Sequence, residues 1–135
     1  MSALKHHATL TSFLLLILLF SILLPETFLT GRNLFNISQQ MSMLMVTASA
    51  MTIVMAMGDY DLSVGSMASL VGIVAAIIFK ATGSEGASLF LALAVCLMGG
   101  AFNGFLISTL NILPFVATLG SLTIFSGFAF LIAGG

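Results

Sequence analysis

Met57-Gly58-Asp59-Tyr60-Asp61-Leu62-Ser63-Val64-Gly65-Ser66 is a polar island between two long apolar runs, and it holds two of the chain's four acidic residues. A charged side chain near the centre of a bilayer costs roughly 2.5–3.5 kcal/mol on insertion scales. Such an island persists only where protein or a water-lined cavity shelters it. The composition on either side makes the bilayer the relevant solvent.

Hydrophobic residues make up 60% of the chain and charged residues 5%, with a mean hydropathy of +1.26. An ordinary soluble domain is about a quarter charged, so no water-facing surface can be built from this sequence. Its apolar runs are long enough for crossings of about 20 residues. The expectation is an all-α, polytopic transmembrane bundle of about four or five helices, with a broken or late-starting helix near residues 58–66. The formal net charge of -1 and the three basic residues Lys5, Arg32 and Lys80 leave no patch for a run of phosphates, which excludes nucleic acid as a partner. Cys96, the single cysteine, lies in an apolar run and reads as a small buried hydrophobe.

Upstream of the island, a head with Lys5, His6 and His7 precedes an apolar run over residues 10–24. No small-x-small cleavage site follows that run, so it reads as a retained first transmembrane helix rather than a signal peptide. Pro25 ends it, because the residue before a proline leaves the helical region. Residues 26–36 read as an interfacial loop, with Gly31 and Asn33 for turning and Arg32 for the headgroup zone. The next span is expected to begin near Ile37 or Ser42. Residues 41–57 carry Ser42, Thr47, Ser49 and Thr52 among Met, Ala and Val, the pattern of a helix that packs against protein.

Downstream, an apolar run over residues 67–79 repeats small residues at Ala68, Gly72 and Ala76. If Asp61 or Ser63 caps it, the helix covers about residues 62–79. Residues 80–86 read as a turn, and residues 87–110 as a span interrupted at residues 99–104, where Gly100 and Gly104 form a GxxxG and Asn103 puts an amide at depth. Asn111 and Pro114 close it, and residues 115–132 make the last span. Lys5 favours a cytoplasmic N-terminus.

No catalytic, metal-binding or cofactor-binding set emerges. An intramembrane aspartyl protease needs a second aspartate from another helix, and none follows Asp61. The Asp59-x-Asp61 pair lacks the further acids, His or Cys of a metal site, and there is no glycine loop for a nucleotide. Candidate site residues are Asp59, Asp61, Ser63, Asn103 and Thr118. Asp61 and Ser63 are expected to bond the first free amides of the following helix, with Asp61 complementing its dipole. Asp59 reads as a solvated or paired carboxylate at a helix end, and Asn103 and Thr118 as bonds across helices. Gly65, Gly72, Gly100 and Gly104 are expected to be close helix-packing contacts.

GDYDLSVGS (residues 58–66) resembles the GGIDLSVGS signature of permease subunits of bacterial ABC importers for ribose, xylose, arabinose and related sugars. Asn103-Gly104-Phe105-Leu106-Ile107 is similar to that family's NGxLI, and residues 113–120, LPFVATLG, to its PPFIATLG. Residues 32–37, RNLFNI, are similar to its NLxNI. The four segments stand in the family's order and cover most of the chain after Arg32. Asp59 and Tyr60 depart from the usual Gly and Ile, and Leu113 stands where the first of two prolines is common, so the sugar does not follow from the resemblance.

The resemblance implies a non-enzymatic, multi-pass subunit of the bacterial inner membrane that forms part of a sugar translocation pathway. Asp61 would line or gate that path. The implied partners are cytoplasmic ATPase subunits, a periplasmic sugar-binding protein and a second permease subunit in a homodimer. Such permeases run to roughly twice this length as one domain. Residues 1–135 are therefore expected to be the N-terminal part of a single permease domain, without the later half whose loop docks on the ATPase, and unable to couple to ATP hydrolysis alone. A small self-contained oligomeric channel or accessory protein is the rival reading.

Overall fold

The structure, a computed structural model, describes residues 7–134. Lys5 and His6, which figure in the reading of the N-terminal head, lie outside the described residues. Six helices follow one another among the described residues: α1 (Ala8–Leu23), α2 (Pro25–Phe28), α3 (Gly31–Ala56), α4 (Val64–Thr82), α5 (Glu85–Ser108) and α6 (Pro114–Ala133). Four of these, α3 to α6, are long and apolar enough to cross a membrane. The chain divides into two compact units, one up to residue 46 and one from residue 47 onward.

In the first unit, α1 is apolar all round and buries none of its residues. At about 1.5 Å per residue it is some 24 Å long, less than the ~30 Å of hydrocarbon. Leu24 leaves the helical region ahead of Pro25, as expected, and Pro25 at once begins α2, where its missing N–H costs nothing. The ring of Phe28 lies 5.7 Å from that of Phe20.

Residues 26–36 are not the loop expected from their Gly and Asn, because helix α3 starts at Gly31. Thr30 is the reason. Its Oγ1 accepts from the Asn33 N–H at 3.2 Å, the bond an N-cap makes, while Asn33 Nδ2 reaches back to the Phe28 carbonyl at 2.8 Å. Asn33 thus closes the turn with its side chain while its backbone is already helical.

None of the residues of α3 is buried. Ser42 and Thr52 donate to the carbonyls of Gln39 and Ala48, both at 2.7 Å. Such back-bonding satisfies a hydroxyl in apolar surroundings without a neighbour.

In the second unit, α4 lies against both α5 and α6. Its packed face carries Ser66 and Leu70, with Met67, Ile73 and Val74 beside them, and meets Val95 of α5 and Phe125 and Ala129 of α6. Ser88 Oγ ties α5 to α4 by donating to the Ala75 carbonyl at 2.7 Å. Residues 80–86 form a much tighter connection than a seven-residue turn. Helix α4 continues to Thr82, Gly83 turns at φ 66° with its N–H on the Phe79 carbonyl, and Ser84 Oγ caps α5 by accepting from Ala87 N–H.

Helix α5 runs unbroken through residues 99–104. A close approach occurs there, but at Gly99. A Cβ on Gly99 would sit 1.8 Å from Met67 Cε and 3.3 Å from Phe125 Cζ, whereas one on Gly65, Gly72, Gly100 or Gly104 would meet nothing within 4 Å. The four glycines expected to be packing contacts are therefore open in this chain, and so is the face of Ala68 and Ala76. Helix phase explains the outcome. Residues 68 and 72 lie about 200° round α4 from the packed residues 66 and 70, and Gly100 is about 100° round α5 from Gly99.

Cys96 is likewise exposed rather than buried. An apolar run does not distinguish a protein-facing from a lipid-facing position, since both are apolar. The outward positions of the second unit are accordingly large hydrophobics such as Leu89, Phe90, Leu97, Met98 and Phe130.

Candidate functional site

The polar island resolves into the end of one helix and the start of another. Helix α3 closes in a Schellman arrangement: Gly58, at φ 92°, donates its N–H to the Met55 carbonyl, and the Asp59 N–H bonds the Val54 carbonyl at 3.3 Å. Only glycine takes that backbone conformation without a Cβ clash. Five residues, Asp59 to Ser63, then run without helical bonding before α4 begins at Val64.

Asp61 organises the restart, though not as a simple cap. Its Oδ1 accepts from the Ser63 N–H at 2.8 Å and from the Ser63 hydroxyl at 2.6 Å, closing an Asx turn one residue ahead of α4. The capping bond expected of Ser63 itself is not made, because its side chain is engaged elsewhere. Its hydroxyl donates to Asp61 and accepts from Asn103 Nδ2 at 2.9 Å.

Asn103 comes from the C-terminal part of α5 and is 8% exposed. Its other amide atom, Oδ1, accepts from Ser121 Oγ of α6. One amide thus joins the restart of α4 to both neighbouring helices. Thr118, a turn before Ser121, holds the irregular segment by its backbone: Oγ1 accepts from Leu62 N–H at 3.2 Å and donates to the Pro114 carbonyl at 2.8 Å, with the Tyr60 carbonyl at 3.3 Å. Among the described residues no buried side-chain nitrogen or oxygen lacks a partner. Leaving one such group unpaired would cost about 1–3 kcal/mol, so the completeness of this network is what lets polar residues sit in an apolar bundle.

Beside the network lies a cleft of about 330 Å³, lined by Asp59, Tyr60, Asp61, Asn103 and Thr118 with apolar side chains such as Val54, Met57 and Ile107. Its size and mixed lining suit a small polar molecule. Four of the five candidate residues line it. Ser63 does not; it stands behind the cleft wall, 2% exposed. Asn103 bonds across to α6, whereas Thr118 bonds its own helix and the non-helical residues Tyr60 and Leu62. Of the glycines, Gly104 lines the cleft, where the absence of a side chain leaves room.

Two further positions belong to the cleft and its network beyond the five candidates. Tyr60 lines the cleft and is 60% exposed, its ring free of the bundle. Ser121 is almost fully buried and completes the Asn103 bond. The one signal for Ser121 was its spacing, one helical turn from both Thr118 and Phe125, which puts a hydroxyl on the face that packs.

A multi-pass helical membrane protein with a polar cleft at a helix restart is the class that these features define. Comparison with known proteins makes it more specific. The chain is 35% identical over 132 residues to the ribose import permease protein RbsC of Escherichia coli K12, covering 98% of this chain and 41% of that protein. It is 34% identical over 137 positions to the autoinducer 2 import system permease protein LsrC of an Enterobacter species, covering 100% and 40%. A probable ABC transporter permease protein, y4mJ of Sinorhizobium fredii, is 34% identical over 121 residues, covering 90% and 36%. No family model and no solved structure matches the chain.

Along nearly its whole length the chain is thus similar to permease subunits of ABC transporters, and four of its helices are long and apolar enough to cross a membrane. It spans about two fifths of the length of the curated relatives it matches.

Proposed function

We propose that the chain forms part of the solute pathway of an ABC importer for a small polyhydroxylated compound, a monosaccharide being the class that fits best. The observation that carries this reading is the cleft: in a chain homologous to import permeases, it places two carboxylates, an amide and a phenol beside apolar walls. Carboxylates and amides accept and donate to sugar hydroxyls, and the apolar side chains take the C–H faces. The irregular stretch from Asp59 to Ser63 has its backbone held by Thr118 and Asp61 beside the cleft, as irregular backbone at a discontinuous helix must be if it is to lie near a polar solute.

The subunit performs no bond chemistry in this reading. It works with cytoplasmic ATPase subunits that hydrolyse ATP, a periplasmic binding protein that delivers the sugar, and a second permease subunit. The test is uptake of a panel of labelled pentoses and hexoses by host cells with and without the gene. Loss of uptake of one sugar, restored on re-expression and abolished by ATP depletion, is the expected result. Unchanged uptake across the panel overturns the proposal, and uptake that persists without ATP returns the chain to the self-contained channel.

A further inference from the structure

Three side-chain bonds at the cleft wall run one way, with Ser121 Oγ also facing the Ala117 carbonyl of its own helix at 3.0 Å. Ser121 Oγ donates to Asn103 Oδ1, Asn103 Nδ2 donates to Ser63 Oγ, and Ser63 Oγ donates to Asp61 Oδ1. A hydroxyl has one proton, so Ser63 can give its proton to Asp61 only because Asn103 approaches it as a donor. Asn103 presents Nδ2 to Ser63 because Ser121 occupies its Oδ1. The chain therefore has a direction, and it ends on a carboxylate oxygen that accepts twice, the second time from the Ser63 N–H.

The consequence lies at the other oxygen. Asp61 lines the cleft, and its Oδ2 accepts no hydrogen bond from any described residue. Two bonds on Oδ1 fix the plane of the carboxylate, and so fix where Oδ2 points. A carboxylate accepts only and has lone pairs to spare, so a fixed free oxygen selects a ligand that brings a donor to that place.

We propose that Asn103 and Ser121 are positioning residues for Asp61, whose Oδ2 accepts one hydroxyl of the solute in the cleft. This rests on the pathway reading above and deepens it, because it makes one hydroxyl of the solute a determinant of selection. Ser63 transmits the effect and Ser121, which does not itself line the cleft but bonds Asn103 of its wall, sets it from a neighbouring helix.

A double-mutant cycle in the intact transport system tests this, with uptake rates normalised to the amount of protein in the membrane. Asp61→Asn should raise the half-saturating sugar concentration by about tenfold, and Ser121→Ala by about two- to fivefold, with smaller changes in maximal rate. The double variant should be no worse than Asp61→Asn alone, because Ser121 acts only through Asp61. A sugar analogue lacking the hydroxyl that meets Oδ2 should be insensitive to both changes.

Effects that multiply in the double variant, or that fall equally on all analogues, overturn the positioning role while leaving the pathway reading intact. If deleting the gene changes no uptake, the pathway reading falls and this inference with it. Should Ser121→Ala fail to reach the membrane, Ser121→Cys keeps the volume with a weaker donor and should give the same pattern at reduced size.

Discussion

Asn103 Nδ2 and Ser63 Oγ lie 2.9 Å apart, although forty residues separate them in the chain. That bond brings the C-terminal part of α5 to the residue just ahead of α4, and through it the restart of the helix is tied to the bundle rather than left as a local turn.

Ser63→Ala should destabilise the protein by about 1–3 kcal/mol, because it strands the buried Asn103 amide and removes one of two donors from Asp61. Ser63→Thr keeps the hydroxyl and should cost less. Denaturation midpoints of the purified protein in detergent check this, and equal midpoints for Ser63→Ala and the parent would contradict it.

Gly99→Ala forces Met67 to move, since the new Cβ would stand 1.8 Å from Met67 Cε. Met67 is flexible, so the expected loss is about 1–3 kcal/mol rather than failure to fold. Gly100→Ala and Gly104→Ala meet open space in this chain and should leave its stability near that of the parent. Adding Met67→Ala to Gly99→Ala should recover much of the loss, which a thermodynamic cycle reads directly.

Gly58→Ala places a Cβ on a residue at φ 92° and should cost about 1–2 kcal/mol. The strain acts on the end of α3, so hydrogen exchange at the Gly58 and Asp59 amides should rise. Unchanged protection there would show that the Schellman closure does not hold the segment.

Asp61→Ala should lower sugar uptake at equal membrane abundance in the complete transport system. If the variant is instead lost from the membrane, closing the turn ahead of α4 is the principal task of Asp61.

Thr118→Val preserves shape but removes the acceptor of the Leu62 N–H and the donor to Pro114. The expected cost is about 1–3 kcal/mol, with faster exchange of the Leu62 amide as the local signature.

That this is a multi-spanning helical protein is legible in its apolar runs of about 20 residues and its scarcity of charge, because a helix satisfies its own backbone inside a membrane. The sequence also determined that residues 58–66 interrupt the helices, since Gly58 favours a left-handed stop and Asp61 and Ser63 favour a turn. The beginning of α3 was misjudged because Thr30 decides it, and a hydroxyl ahead of a Gly-Arg-Asn run looks like a loop until its bond to Asn33 is seen.

Which faces meet depends on the packing of the helices against one another. Small residues mark many possible contact faces of a membrane helix, and lipid-facing and protein-facing positions are equally apolar, so Gly99 could not be told from Gly100. For the same reason Ser121 was unremarkable in a helix of small and apolar residues. Its importance comes from the crossing of α6 with α5, which sets it against Asn103, and that placement depends on packing contacts between segments no local pattern connects.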